Sequence, residues 1–196
     1  KTSVPKKHKF EAYTAINELL WEKAEAATTI EGYNEYLKTS NLLQQEVISS
    51  VTPNIRQTNP EYSNVINKIQ DNQVRASVRL QTLEEELWEK VSNDGKKDSY
   101  EFYLRQFPSG KHIGDCQRRI GEIQAQESEE ALWKKAKTSH SLTGYRNYLK
   151  DSTLKKYQKD ALEKISQYDE EAWQKALGLS TEQSYRGYIE SFPSGI

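Results

Sequence analysis

Four tryptophans recur along the 196-residue chain, each with the same aromatic residues at the same distances behind it. A tyrosine follows each tryptophan after 12 positions and a second tyrosine after 15. These aromatic residues, with one small residue of the neighbouring helix, form the predicted structural core of a repeat: Trp21, Tyr33, Tyr36, Trp88, Tyr100, Tyr103, Cys116, Trp133, Tyr145, Tyr148, Trp173, Tyr185 and Tyr188. A pattern kept in four copies predicts an internal repeat, which constrains the fold more than any other feature.

The two tyrosines and the Leu or Ile after them have the spacing i, i+3, i+4, which predicts the apolar stripe of a short helix. In two copies the motif Phe-Pro-Ser-Gly follows, at 107–110 and 192–195, where proline ends the helix and glycine favours a turn. A second stripe, spaced i, i+4, i+8, then predicts a long helix: His8, Ala12 and Ile16; His112, Cys116 and Ile120; Tyr157, Ala161 and Ile165. The predicted unit is a helical hairpin, and successive later tryptophans are 45 and 40 residues apart.

Helix-capping residues are expected just before each helix. For the short helices these are Thr28 or Thr29, Asp94, Ser139 or Ser141, and Ser180. The pairs Thr28 with Glu31 and Ser180 with Gln183 fit a capping box. Ser109 and Ser194 are the expected caps of the following long helices.

A single hairpin cannot bury its apolar face, whereas a stack of hairpins can. We therefore expect an all-α fold, an α-solenoid of four to five partial or complete hairpins that forms one array and looks cut from a longer one. The predicted segments are the second half of a preceding repeat, three repeats, and the first half of a following repeat: 1–27, 28–93, 94–138, 139–178 and 179–196.

The repeat spacing breaks once, because Trp21 and Trp88 are 67 residues apart. The surplus lies at 49–72, where Pro53 and Pro60 predict a loop. Asn59 and Pro60 then predict a cap and first turn, opening a long helix through Val65, Ile69 and Leu83. Two interpretations stay open for 49–72: a degenerate repeat with an insertion, or a recognition loop on a functional face.

The charge balance disfavours general nucleic-acid binding, since 28 basic residues meet 29 acidic ones. Two local basic clusters beside tyrosines leave RNA binding as a minor alternative: Lys6, Lys7 and Lys9; Lys155, Lys156 and Lys159. No apolar run reaches the roughly 18 residues that a membrane span needs. The chain starts without Met, which is typical of a fragment.

Residues that could carry chemistry are better explained by packing. Cys116, the only cysteine, matches Ala12 and Ala161 in the repeat and is expected to be a buried small residue. His8 and His112 match Tyr157, and neither they nor His140 form a metal-ligating pair. The Asp and Gly of 92–101 lack the spacing of a calcium loop, and the acidic runs at 84–86 and 127–130 fit solvated helix faces. Because no phosphate loop or nucleophile motif appears, we expect no enzyme, no cofactor and no metal.

The stretch "YLRQFPSGKHIGDC" resembles the signature of bacterial tetratricopeptide-like repeats, although its spacing exceeds the usual 34 residues. The resemblance covers nearly the whole chain except 49–72. It implies right-handed stacking of the hairpins and binding of a protein or peptide on a superhelical surface, without catalysis. Such repeats occur in outer-membrane assembly lipoproteins, in cell-envelope coordinators and in arrays attached to effector domains, which favours the periplasm or cell envelope over the cytoplasm.

The main functional hypothesis is a scaffold whose short helices bind a partner. The candidate partner-binding residues lie between the tyrosine positions and differ in charge between repeats: Glu31, Asn34, Glu35, Glu101, Arg105, Thr143, Arg146, Asn147 and Arg186. The same variation is typical of ordinary solvent-facing residues. The alternative is a structural spacer that positions an effector or membrane domain, with self-association through the open ends of the array.

Overall fold

The computed structural model describes residues 8–193, and within that range every regular element is an α-helix. The helices are α1 Lys9–Ala27, α2 Ile30–Ser49, α3 Pro53–Thr58, α4 Pro60–Asp94, α5 Lys97–Gln106, α6 Ile113–Ser139, α7 Leu142–Asp151, α8 Gln158–Leu179 and α9 Glu182–Ser191. The prediction of an all-α chain of sequential hairpins is confirmed. The chain divides into two compact units, Lys1–Cys116 and Gln117–Ile196, which are described separately.

In the first unit α1, α2 and α4 pack against one another. Tyr13, Leu43, Val47, Val65 and Ile69 form one buried cluster of this three-helix group. A second cluster joins Trp21 and its tyrosines to Ala76 of α4. Helix α5 packs on the C-terminal part of α4.

In the second unit, the C-terminal part of α6 pairs with α7, α7 packs on α8, and α8 on α9. Trp133, Ala136, Tyr145, Tyr148, Ala161 and Ile165 form its core. The tryptophan lies on the first helix of the hairpin, and its two tyrosines lie on the second. The ring centroids of Trp133 are 5.8 Å from Tyr145 and 5.2 Å from Tyr148, distances at which aromatic pairs attract.

Some of the expected capping residues do cap the second helix of their hairpin, and others do not. Thr29 and Ser141 cap α2 and α7 through bonds from the N–H groups of Gly32 and Gly144. The expectation for α9 was wrong by one residue, because Thr181 forms the capping box, with Ser184. The expectation of Asp94 as the cap of α5 is also wrong, because α5 begins after Lys96 and Asp94 accepts from the Ser99 hydroxyl instead of from a helix N–H.

Two further cap predictions are wrong. Thr28 has a left-handed backbone at the end of α1, so it forms no capping box with Glu31. Ser109 does not cap α6, which begins four residues later at Ile113. Ser194 lies outside the described residues.

The break in the repeat comes from helix length, and the loop predicted around Pro53 and Pro60 is wrong for 53–58, which form a short helix because a proline is tolerated in the first turn. Helix α2 has 20 residues, twice the length of α5, α7 or α9, and the segment after it holds the six-residue α3. The predicted start of the long helix at Asn59 and Pro60 is confirmed. The Asn59 side chain accepts from the N–H groups of Glu61 and Tyr62, and α4 then runs for 35 residues.

The expectation that Ala12 and Ile16 share the buried stripe is wrong for the described α1. Both residues are exposed, and α1 instead buries Tyr13, Asn17, Trp21 and Ala24. The physical reason is that the matching residues Cys116 and Ala161 contact a preceding hairpin, whereas no described element precedes α1.

Candidate interaction surface

Every hairpin contains a hydrogen bond between its second tyrosine and a polar residue 19 positions earlier, on the first helix. Tyr36 donates to Asn17 and Tyr188 donates to Asp169, each at 2.8 Å. Tyr103 and Tyr148 donate in the same way to Glu84 and Glu129. We call each of these the tyrosine–acceptor pair. The acceptors were not predicted from the sequence, although each stands four residues before its tryptophan.

In two hairpins the tyrosine–acceptor pair also binds the start of the following helix. Glu84 accepts from the N–H of Lys111 at 2.7 Å, and the Tyr103 hydroxyl accepts from the N–H of His112 at 3.2 Å. The first N–H groups of a helix lack partners within the helix, and the helix dipole favours negative charge there. The pair therefore anchors the two residues that lead into α6, beside the positive end of its dipole.

The second unit repeats this arrangement at the start of α8. Glu129 accepts from the N–H of Lys156 at 3.0 Å, and Tyr148 accepts from the N–H of Tyr157 at 2.8 Å. Glu129 is buried and also accepts from the Ser152 hydroxyl. Its carboxylate is thus satisfied by four donor contacts, which explains how a charged group is tolerated in the interior.

The residue that begins the following helix also covers the tryptophan. The His112 ring stacks on Trp88 with centroids 4.4 Å apart, and the Tyr157 ring stacks on Trp133 at 5.0 Å. In the first hairpin the guanidinium of Arg75 takes this position, 4.5 Å from the Trp21 ring. Three of the four tryptophans are thus covered by a side chain from the next long helix.

The pKa values follow from these contacts. Burial by itself raises the pKa of the Glu129 carboxyl, but hydrogen bonds from Tyr148, Ser152 and backbone N–H groups outweigh burial and hold that pKa below its usual value. Burial, and then the adjacent carboxylate, raises the pKa of Tyr103 and of Tyr148. At neutral pH the pair of Tyr148 and Glu129 therefore consists of a neutral phenol and an ionised acid.

Gly110 of the first Phe-Pro-Ser-Gly motif lies where the backbone approaches the tyrosine–acceptor pair. A Cβ atom there would be 2.5 Å from Glu84 Oε1 and 2.6 Å from the Tyr103 hydroxyl. A side chain at position 110 would therefore collide with the pair, which explains why the motif has glycine there.

The residues considered for chemistry lie in structural positions. Cys116 is buried, and burial raises the pKa of its thiol. His112 is stacked on Trp88, while His8 and His140 are exposed. Across residues 8–193, no three His, Cys, Asp or Glu side chains are grouped to hold a metal ion. No helix in that range is long and apolar enough to cross a membrane.

The candidate partner-binding residues lie on four helices. Glu31, Asn34 and Glu35 are exposed on α2, as are Thr143, Arg146 and Asn147 on α7 and Arg186 on α9. On α5, Arg105 is exposed, whereas Glu101 is half-buried and pairs with Lys97 at 3.7 Å.

Two more of these candidates have partners within their own unit. The guanidinium of Arg146 donates to the Ser191 carbonyl at 2.9 Å and lies over the Phe192 ring. Arg186 pairs with Glu182 at 2.7 Å. Arg146 thus connects α7 to the end of α9.

The basic clusters proposed for RNA are also engaged, as far as the structure describes them. Lys155 donates to the Leu149 carbonyl, and Lys156 pairs with Glu130 at 2.6 Å. Lys159 lies 3.8 Å from Glu163, and Lys9 donates to the Ser50 carbonyl. Lys6 and Lys7 lie outside the described residues.

An open groove of about 470 Å³ runs between α4 and α5 in the first unit. Its floor is apolar and its edges carry both signs of charge. The lining residues are Leu87, Lys90, Val91, Asp94, Asp98, Ser99, Phe102 and Arg105. Phe102 is 43% exposed, and the Arg105 guanidinium lies 5.8 Å from its ring centroid.

Comparisons of the chain with protein-family models, with curated proteins and with solved structures found no match.

Proposed function

We propose that the chain is a non-catalytic scaffold for protein–protein interaction, an α-solenoid of tetratricopeptide-like hairpins that binds a peptide or partner domain. The observation that carries this proposal is the α4–α5 groove. There the exposed Phe102 is an aromatic side chain that the hairpin core does not use. Aromatic residues, phenylalanine included, and arginine are enriched in protein–protein interfaces relative to the rest of the surface.

The groove suits a peptide with one apolar anchor and flanking charges. The anchor side chain would lie on Phe102, with Leu87 and Val91 beneath it. Lys90 and Arg105 would pair with acidic residues of the peptide and Asp98 with a basic one, whereas Asp94 is already paired with Lys96. Because these pairs lie at the solvent-exposed rim, they would contribute to specificity and association rate more than to affinity.

The roles of the titratable residues support a scaffold over an enzyme. Three acids that are buried or half-buried, Glu84, Glu129 and Asp169, accept hydrogen bonds from tyrosines, and Glu84 and Glu129 also accept them from helix starts. The other candidate residues are proposed as further partner contacts, separately within each unit: Glu31, Asn34 and Glu35 on α2 of the first unit, and Thr143, Asn147 and Arg186 on α7 and α9 of the second.

The test is a selection of displayed random peptides on the immobilised protein, followed by fluorescence anisotropy with the enriched peptide. We expect enrichment of peptides with one large apolar residue between charges. Phe102→Asp should weaken binding by tenfold or more, and Arg105→Glu by a smaller factor that shrinks with added salt.

Leu42→Asp is the matched control, since Leu42 is an exposed apolar residue on α2 away from the groove. It should leave peptide affinity unchanged. Failure to enrich any peptide, or equal affinity in the Phe102→Asp variant, would contradict the proposal. Circular dichroism of each variant shows whether its helices remain folded.

A further inference from the structure

The hairpin of α6 and α7 differs from the other three hairpins in its charge. Four segments of 20 residues run from two positions before a tryptophan to two positions after its second tyrosine: 19–38, 86–105, 131–150 and 171–190. The first, second and fourth segments contain four, five and three Asp or Glu residues. The third contains none, and its five basic residues are Lys134, Lys135, Lys137, Arg146 and Lys150. Positive charge is therefore concentrated on one hairpin of a chain whose net charge is −1.

Two of these basic residues lie on the face that forms the groove in the α4–α5 hairpin. By the repeat spacing, Lys135 corresponds to Lys90 and Lys150 to Arg105, and both Lys90 and Arg105 line that groove. In both hairpins the tryptophan contacts its two tyrosines, with ring centroids 5.2–6.2 Å apart. Because the two helix pairs pack alike, Lys135 and Lys150 share one face of the α6–α7 hairpin.

The α7 side chains on this face are neutral. Thr143 and Asn147 stand where α2 has Glu31 and Glu35, and both are exposed. The two lysines of the face are also exposed, and neither ammonium pairs with a carboxylate of residues 8–193. The face therefore presents two cations without the acids that accompany the equivalent lysines of the α1–α2 hairpin.

The other three basic residues add to the positive potential of the hairpin. Lys134 is exposed, and the Lys137 ammonium lies 5.7 Å from the Trp133 ring centroid. Arg146 is held by its bond to the Ser191 carbonyl. Charges that are not neutralised by a neighbour attract an oppositely charged ligand over about 8–10 Å at moderate salt.

We infer that Lys135, Thr143, Asn147 and Lys150 form a site for an acidic segment of a partner protein, rich in Asp and Glu. Carboxylates of the segment pair with the two ammonium groups, and the Thr143 hydroxyl and the Asn147 amide donate to further oxygens of the segment. The inference rests on the proposed function, because Thr143 and Asn147 are among its partner contacts. It adds the chemistry of the partner that the second unit binds.

An acidic protein segment fits this face better than a nucleic acid does. Proteins bind single strands largely through aromatic side chains on which the bases stack. The rings of this hairpin, Trp133, Tyr145 and Tyr148, are buried in its core. A face with two unpaired cations and no exposed ring suits a few carboxylates better than a long phosphate backbone.

The experiment is fluorescence anisotropy of the intact chain with a labelled peptide of alternating glutamate and glycine. We expect binding that weakens as salt is added, because the charge pairs are exposed to solvent. The same peptide with lysine in place of glutamate should not bind. Lys135→Glu combined with Lys150→Glu should weaken the affinity for the acidic peptide by at least about tenfold.

The matched control is Lys23→Glu combined with Lys38→Glu. These exposed lysines hold the equivalent positions on α1 and α2, so the two double variants have the same net charge. The control should bind the acidic peptide within about twofold of the parent, since a local site does not depend on the charge of a distant hairpin.

A second variant tests the neutral residues of the face. Thr143→Glu combined with Asn147→Glu gives α7 the acids of α2 while leaving both lysines in place. It should abolish binding of the acidic peptide. Circular dichroism of every variant shows whether its helices remain folded.

Absence of binding to the acidic peptide would overturn the inference, as would equal losses in the two lysine variants. Tighter binding of a single-stranded RNA of equal charge, dependent on the same lysines, would also overturn it. Phe102→Asp should leave the affinity for the acidic peptide unchanged, because Phe102 belongs to the α4–α5 groove. If the displayed-peptide selection succeeds and the acidic peptide does not bind, the proposed function stands and this inference fails.

Discussion

The Tyr36 hydroxyl donates to Asn17 Oδ1 across 19 residues of sequence, and the same separation joins Tyr148 to Glu129. The two pairs differ in what lies beyond them. At Tyr148 the start of α8 supplies further N–H donors, and the acceptor is a carboxylate. At Tyr36 helix α2 continues to Ser49, and the acceptor is a neutral amide whose buried Nδ2 has no hydrogen-bond partner among residues 8–193. The charge of the acceptor thus matches the donors available to it.

Removing the hydroxyl of Tyr148 should destabilise the second unit. Tyr148→Phe takes a donor from the buried Glu129 and an acceptor from the Tyr157 N–H. We expect a loss of about 1–3 kcal/mol in the free energy of unfolding. Urea unfolding followed by circular dichroism measures this loss. Tyr145→Phe is the control, since no hydrogen bond of its hydroxyl is seen among the described residues, and it should cost much less. Equal losses would refute the role of the pair.

Acid should weaken the fold through Glu129. Its folded-state pKa is lowered, so its stabilising contribution is complete above the unfolded value of roughly 4.3 and is lost as pH falls through the folded value. Glu129→Gln should therefore be less stable than the parent at pH 7, and the difference should shrink towards pH 3. The urea midpoints of both proteins across this range test the claim. Glu163→Gln, at an exposed site, should show the same urea midpoints as the parent across this pH range. A stability difference between Glu129→Gln and the parent that does not change with pH would contradict the role of Glu129.

A carboxylate should be unfavourable at position 17. Asn17→Asp buries a charge for which Tyr36 is the one hydrogen-bond donor seen in the described structure. Burial should raise the pKa of the new carboxyl, so that the variant loses about 1–3 kcal/mol at pH 7. Because the folded state then holds a proton that the unfolded state releases, stability relative to the parent should improve from pH 7.5 to pH 5. Urea midpoints at the two pH values measure this change. Asn147→Asp, at an exposed site, should show neither effect.

Two glycines of the second unit should respond to alanine with opposite signs. A Cβ on Gly144 would lie 1.8 Å from Ser139 Oγ, whereas a Cβ on Gly121 would meet nothing within 4 Å. Gly121→Ala should stabilise α6 by roughly 0.5–1 kcal/mol, since alanine loses less backbone entropy than glycine. Gly144→Ala should destabilise the α6–α7 hairpin, because the Ser139 side chain must leave its bond to the Ala136 carbonyl. Thermal unfolding of both variants decides the question, and a rise in midpoint for Gly144→Ala would disprove the steric argument.

The spacing of the aromatic residues was enough to predict helical hairpins, because burial of one helix face requires a local period that a sequence displays directly. The cap at Asn59 and the end of α5 before Pro108 were also predictable, since both depend on adjacent residues. Other features depended on residues far apart in the chain. The bond from Tyr103 to Glu84, the helix start that Glu129 holds, and the amide at Asn17 each join elements that only packing brings together. Likewise Ala12 has the repeat pattern of a buried residue but is exposed. The pattern indicates which face of a helix is suited for burial, whereas actual burial depends on what packs against that face.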